Sequence, residues 1–206
     1  MREAAAAVVH RADYTPPAYR IREVALSFDL EPAKTLVASR LVVERNPDAA
    51  PGQPLVLHGE DLNLLRVMGD GEALSFRHEG GLLTIDNPPP GQQFVLEIRN
   101  TCAPDKNKQL CGLYTSGSGF FTQCEAEGFR RITFFLDRPD VMAVYTVTLR
   151  ADKARYPVLL SNGNLVEQGD LPAGRHFAKW HDPFPKPSYL FALVAADLVC
   201  REQRIR

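Results

Sequence analysis

Helix signals are almost missing from this sequence. No segment carries three turns of 3.6-residue periodicity with a cap at each end. Charge of one sign is also missing: 24 Lys and Arg stand against 25 Asp and Glu, a net charge of −1. That balance gives no electrostatic footing for nucleic acid or an anionic membrane surface, so neither is expected as a partner. No apolar run approaches the ~20 residues of a membrane span. The one apolar stretch near the start, Ala4 to Val9, is shorter than the roughly 7–15 residues of a secretory leader core. His10, Arg11 and Asp13 follow it, and a cytoplasmic location is expected. Cysteine is sparse: Cys102, Cys111, Cys124 and Cys200 form no Cys-x-x-Cys pair, and a disulfide scaffold would be smaller and denser. Free thiols are the expectation.

The usual catalytic signatures are absent too. The five histidines, His10, His58, His78, His176 and His181, include no His-Glu-x-x-His, the spacing that aims two imidazoles at one ion from a helix. His176 and His181 are five apart on an expected strand and should face opposite ways. There is no Gly-x-Ser-x-Gly elbow; Ser116-Gly-Ser118-Gly reads as flexible loop. The stretch NGNLVEQG lacks the lysine and the helix of a phosphate loop. Cys124 has no histidine nearby in sequence to act as its base and reads as a small, partly buried residue.

What is present is β-structure, with enough apolar residues (45%) for a core. In REVALSFDL, Val24, Leu26, Phe28 and Leu30 recur with period 2, one face of a strand. TLVASRLVVERN returns after a short connection as its hairpin partner. PLVLHGEDL, LNLLRVMGD and ALSFRH follow, with turns at Gly59 and at Asp70-Gly71, a pair suited to a tight hairpin. GGLLTIDN and QQFVLEIRN are two more strands, broken by Pro88 to Gly91. Residues 101–120, polar and rich in Gly and Ser, read as a long connection. ITFFL and VMAVYTVTLRAD read as strands across the turn Asp137-Arg138-Pro139-Asp140. YPVLLSNGNLVEQGDL reads as a hairpin about Asn162-Gly163, HFAKWHD as a short strand and DPFPKP as a loop. SYLFALVAADLV reads as a buried strand, and Trp180 as a core or interface residue. Eleven to thirteen short strands make one all-β unit, a multi-stranded β-sandwich.

Just before the ITFFL run sit Gln123, Glu125 and Glu127. If the segment is extended, Gln123 and Glu125 share one face. An amide beside a carboxylate can grip an ammonium group, which offers three N–H donors in charged hydrogen bonds. The plainer reading is a solvated strand edge, or a carboxylate paired with Arg130 or Arg131.

The run TQCEAEGFRRITFFLDRPDVMAVYTVTL resembles the N-terminal domain of the bacterial aminopeptidase N family, the alanyl-aminopeptidase type of the zinc gluzincin aminopeptidases. CGLYTSG before it, and YPVLLSNGNLVEQG and HDPFPKPSYLFALVAADL after it, extend the likeness, as does LVLHGEDLNLLRVMGDGE earlier. The resemblance covers roughly residues 14 to 200. It implies a saddle-shaped β-sandwich over residues 14–206 behind an N-terminal extension of residues 1–13. It implies that Glu125 binds the free α-amine of a peptide N-terminus and that Gln123 lines the pocket for the first side chain, with Glu127 a structural or ion-pairing residue. It also implies zinc in a full-length enzyme, held by a catalytic domain beyond this chain. The family's Gly-x-Met-Glu-Asn and His-Glu-x-x-His motifs do not occur here, so no catalytic or metal-binding residue is expected in these residues, and the chain is expected to be inactive by itself. The alternative is a free-standing, non-catalytic β-sandwich that binds peptides or a protein partner.

Overall fold

The computed structural model describes residues 10–204. Strand makes up 52% of it, and the 6% of helix lies in short 3-10 turns, which fixes the all-β class. The N-terminal apolar stretch, Ala4 to Val9, lies outside the described residues.

The strands are β1 (Tyr19–Asp29), β2 (Thr35–Arg45), β3 (Leu55–His58), β4 (Asn63–Gly69), β5 (Glu72–Ala73), β6 (Arg77–Glu79), β7 (Leu82–Ile85), β8 (Gln93–Cys102), β9 (Gly112–Ser116), β10 (Gly119–Gln123), β11 (Ala143–Asp152), β12 (Val158–Ser161), β13 (Asn164–Leu171), β14 (Arg175–Lys186) and β15 (Leu193–Ala196). They form an eight-stranded sheet in the order β13-β14-β11-β1-β2-β8-β4-β5, a four-stranded sheet β12-β15-β10-β9, and a three-stranded sheet β3-β7-β6. In the large sheet the neighbours are antiparallel except β1 and β11, which run parallel from Glu23↔Val144 to Asp29↔Arg150.

Alternation sets which face is buried. Val24, Leu26 and Phe28 of β1, Val37, Leu41 and Val43 of β2, and Tyr145, Val147 and Leu149 of β11 all point inward. They join Leu55, Leu57, Leu83 and Ile85 of the small sheet, and Phe120, Leu159 and Ala195 of the four-stranded one, in a single core. Phe129, Phe191 and Tyr145 meet at its centre; the Phe129 ring lies 5.2 Å from that of Phe191 and 4.9 Å from that of Phe135.

Several local expectations are corrected. Residues 101–120 are no bare connection, because they contain β9 and the start of β10, a hairpin turning at Gly117-Ser118. Its polar, glycine-rich composition hides the strands, since six of their ten residues are partly or fully exposed. ITFFL is buried throughout but is not a strand. It threads between the sheets, so both its sides are apolar, and a continuous apolar run carries no period. A bridge between His58 and Phe135 and the buried Asn100 side chain hold it in place; Asn100 Nδ2 donates to Ile132 O at 2.9 Å and Asn100 Oδ1 accepts from Thr133 Oγ1 at 2.9 Å.

Asn162-Gly163 turns no hairpin. β12 pairs with β15 and β13 with β14, so the two residues carry the chain from one sheet to another. Asn162 holds that crossing by accepting from Ala192 N at 2.7 Å and donating to Leu190 O at 3.1 Å. DPFPKP is not a loop, since β14 runs through Lys186. Its neighbour β13 reaches only as far as His181, so Pro183 and Pro185 lie where the strand has become an edge, the place where a missing N–H is tolerated. SYLFALVAADLV is only partly strand: a 3-10 turn, Ser188–Leu190, precedes the short β15. Trp180 sits at the seam, its Nε1 donating to Leu159 O at 3.1 Å.

Candidate functional site

Gln123 ends β10, and the chain then turns through residues 124–128 into a 3-10 turn, Phe129–Arg131. Gln123 and Glu125 therefore do not share the face of an extended segment, as the sequence suggested. They are nonetheless neighbours, because Gln123 Nε2 donates to Glu125 O at 3.4 Å. Both side chains are exposed, as is that of Glu127.

The loop is held from below. Gly128 N donates to Cys124 O at 2.8 Å, closing the turn. A Cβ on Gly128 would come within 2.4 Å of Gln123 O and 2.9 Å of Cys124 Cα, so no side chain fits there. Arg130 and Arg131, only slightly exposed, tie the loop to the rest of the molecule. Arg131 pairs with Glu60 at 2.9 Å and with Asp61, both in the β3–β4 connection. Arg130 pairs with Glu127 at 3.2 Å and with the buried carboxylate of Asp137 at 3.0 Å. Asp137 also accepts from Arg130 N at 3.1 Å and from Ser188 Oγ at 2.6 Å. Its expected turn-fixing role is thus the smaller part of what it does. The outer turn is fixed by Arg138 and Asp140, 2.7 Å apart, which also bind the segment before β1 through Thr15 O and the Tyr14 hydroxyl.

The arginines thus pair with Glu60, Asp61, Glu127 and Asp137, and not with Glu125. Among the described residues Glu125 has no ion-pair partner. Behind the loop, burial pushes the Cys124 thiol up. His58, beneath the loop, is shifted below its ordinary range by burial and then by the Arg130 cation.

Gln123 stands on the outer face of the four-stranded sheet with Phe121, two residues back. The register puts Leu160, Val194, Phe121 and Tyr114 in one row across that face. All four are partly exposed, Leu160 at 38%. Neither this row nor the part played by Ser188 is visible in the sequence, because both depend on which strands pair. A nearby cavity of 470 Å³, lined by Asp61, Lys106, Asn107, Leu113 and Arg131 among others, is not lined by Gln123 or Glu125. Those two residues are exposed at the surface.

The peptidase M1 N-terminal domain family matches residues 16–190. The chain belongs to that family. As a peptidase M1 N-terminal domain, it is 50% identical over 189 residues to aminopeptidase N of Escherichia coli (strain K12), and 51% identical over 193 residues to aminopeptidase N of Caulobacter vibrioides. These alignments cover 91% and 92% of this chain but 21% and 22% of the relatives, so the chain spans about a fifth of their length. Among solved structures it resembles Legionella pneumophila aminopeptidase A in complex with aspartic acid, with a TM-score of 0.86 and 36% identity over 91% of this chain and 22% of that one. An M1 zinc metallopeptidase of Deinococcus radiodurans shares the fold at a TM-score of 0.76 and 16% identity, over 87% of this chain and 42% of that one. Among the described residues no three His, Cys, Asp or Glu side chains converge to hold an ion.

Proposed function

We propose that this chain is the substrate-anchoring domain of a zinc-dependent aminopeptidase that removes N-terminal residues, of the alanine type, from peptides. Residues 14–206 form the domain and residues 1–13 an extension. Tyr14 and Thr15 are bound by the Arg138-Asp140 pair, while Arg11–Asp13 is an exposed turn, which supports the division there. The zinc and the residues that do chemistry on the scissile bond belong to a catalytic domain elsewhere in the polypeptide, so this chain alone does not hydrolyse peptides.

The observation that carries the reading is Glu125, which has no ion-pair partner among the described residues. A carboxylate left free among acids that all have arginine partners is ready for a cation from outside the domain. A peptide α-ammonium suits it, with three N–H donors for the carboxylate and nearby carbonyls. Gln123, bound to the Glu125 carbonyl, flanks the position of the first side chain. The apolar row of Leu160, Val194, Phe121 and Tyr114 faces the same way and suits burial against the catalytic domain. Anchoring the amine fixes which peptide bond reaches the metal and rejects N-blocked peptides, whose amide leaves the carboxylate without a charged partner.

The test is Glu125→Ala and Glu125→Gln in the polypeptide that includes the catalytic domain. The expected loss of kcat/KM on an unblocked alanyl substrate is about 30- to 1,000-fold, the equivalent of about 2–4 kcal/mol. Unchanged kcat/KM in both variants would refute the assignment.

A further inference from the structure

Two cysteines that the proposed function leaves unused, Cys111 and Cys124, both approach Gly128 at the root of the site loop. The β9–β10 ladder runs from Gly119↔Ser116 to Gln123↔Gly112. The ladder ends there, and Cys111 and Cys124 are the next residues along the chain on either side of it. A contact at Gly128 brings the two together. A Cβ built on Gly128 would meet Cys111 Sγ at 3.0 Å and Cys124 Cα at 2.9 Å. That sulfur and that Cα are therefore at most about 6 Å apart, a separation that a disulfide can close without moving the backbone far. Both thiols are free, Cys111 half-buried and Cys124 buried.

We infer that Cys111 and Cys124 are a redox modification site, a cross-strand dithiol that a hydroperoxide converts into an intrachain disulfide. Cys111, the more accessible thiol, reacts first. Its sulfur attacks the peroxide, an S–O bond forms and the O–O bond breaks. The leaving hydroxide takes the thiol proton and departs as water. The Cys124 sulfur then attacks the Cys111 sulfenic acid; the S–S bond forms, the S–O bond breaks, and a second water leaves with the Cys124 proton. Two electrons pass from the thiols to hydrogen peroxide, which ends as two waters. Cys124 is the resolving partner because its burial keeps it from reacting directly with oxidant. The disulfide would staple the start of β9 to the residue whose carbonyl closes the Glu125 loop. The inference stands on the Gly128 contact at the end of the β9–β10 ladder, whatever Glu125 binds.

Hydrogen peroxide added to the folded, reduced chain tests it, with alkylation in denaturant and peptide mapping by mass spectrometry without reduction. The expected product is one disulfide-linked peptide pair joining Cys111 to Cys124, with two of the four cysteines left alkylatable and all four recovered after dithiothreitol. In Cys111→Ser, a change at the half-buried member, Cys124 is expected to stay alkylatable. Cys111 carried to its sulfinic acid while Cys124 remains reduced, or either residue found joined to Cys102 or Cys200, would overturn the inference.

Discussion

The Asp137 carboxylate holds Arg130 twice through one oxygen, accepting from the guanidinium Nε at 3.0 Å and from the backbone N–H at 3.1 Å, while its other oxygen accepts from Ser188. One buried acid therefore orients the loop that presents Glu125 and anchors the turn ahead of β15. Breaking a buried pair by removing one partner leaves an uncompensated charge, which costs about 3–5 kcal/mol. Asp137→Ala is expected to lower unfolding stability by that amount in a urea titration. A loss within about 0.5 kcal/mol, the range of ordinary surface changes, would show that this carboxylate does not organise the loop.

Gly128→Ala tests the loop more directly. The new methyl would collide with backbone at Gln123 and Cys124, which cannot swing away as a side-chain tip can. Overpacking of this kind costs about 1–3 kcal/mol. Gly80→Ala makes a useful comparison, since the new methyl there has open space but a positive φ of +59°, whereas Gly128 sits at φ −81°, which any residue adopts. Calorimetry is expected to show the larger fall in Tm for Gly128→Ala; a smaller fall than at Gly80 would mean that the loop gives way to the new methyl and that crowding is not what the glycine relieves.

Glu125→Ala is expected to leave the stability of this chain unchanged within about 0.5 kcal/mol, because its carboxylate is exposed and has no arginine partner among the described residues. Glu127→Ala, which removes an exposed pair with Arg130, is expected to cost no more than about 1 kcal/mol. A strong destabilisation in Glu125→Ala would reveal a structural partner and weaken the case for a ligand.

Phe129 is the centre of the aromatic cluster, touching Phe135, Tyr145 and Phe191. Phe129→Ala is expected to cost about 3–5 kcal/mol by chemical denaturation, the usual range for a fully buried phenylalanine. Phe184→Ala, at an exposed ring, should be close to neutral. If the two costs proved alike, the core would not be organised around this ring.

His58 gives a pH prediction. Its folded-state pKa lies below the ordinary 6.5, chiefly through burial and then the Arg130 cation, and its Nδ1 is buried with no partner. Between the folded value and 6.5 the unfolded chain binds more protons, so stability rises with pH in that window. It is complete above about 6.5 and falls as the pH drops from there towards the folded value, with a slope of up to about 1.4 kcal/mol per pH unit. His58→Gln is expected to flatten the dependence of stability on pH between 7.5 and 5.5. An identical slope in the variant would assign the effect to other groups.

The sequence made the regular parts of this fold legible and hid the rest for identifiable reasons. Period-2 alternation in β1, β2 and β8 is strong because one face is core and the other is solvent. Asp70-Gly71 turns as its residue types require, both with positive φ, and joins β4 to β5. Ile132–Leu136 misleads because a segment buried on all sides looks like a buried strand. Asn162-Gly163 misleads because turn chemistry fixes a local reversal but not which sheet each flank joins. At the site, Gln123 and Glu125 stood out as residue types in a recognisable run. The arginine and aspartate scaffold beneath them did not, since Asp137 meets Arg130 and Ser188 only after folding.

The parallel pairing of β1 with β11 bears on the time course of folding. β1 ends at Asp29 and its partner begins at Ala143, so during synthesis one edge of β1 stays unpaired until more than a hundred further residues have been made. At about 5–20 residues per second that wait is on the order of ten seconds. Throughout it the β1–β2–β8 assembly presents an open edge rich in apolar residues to whatever is nearby. The closing strand comes from the second half of the chain, so a nascent polypeptide halted between β8 and β11 would be a sheet lacking its seal, and the stretch before β11 is where ribosomal pausing would most favour aggregation.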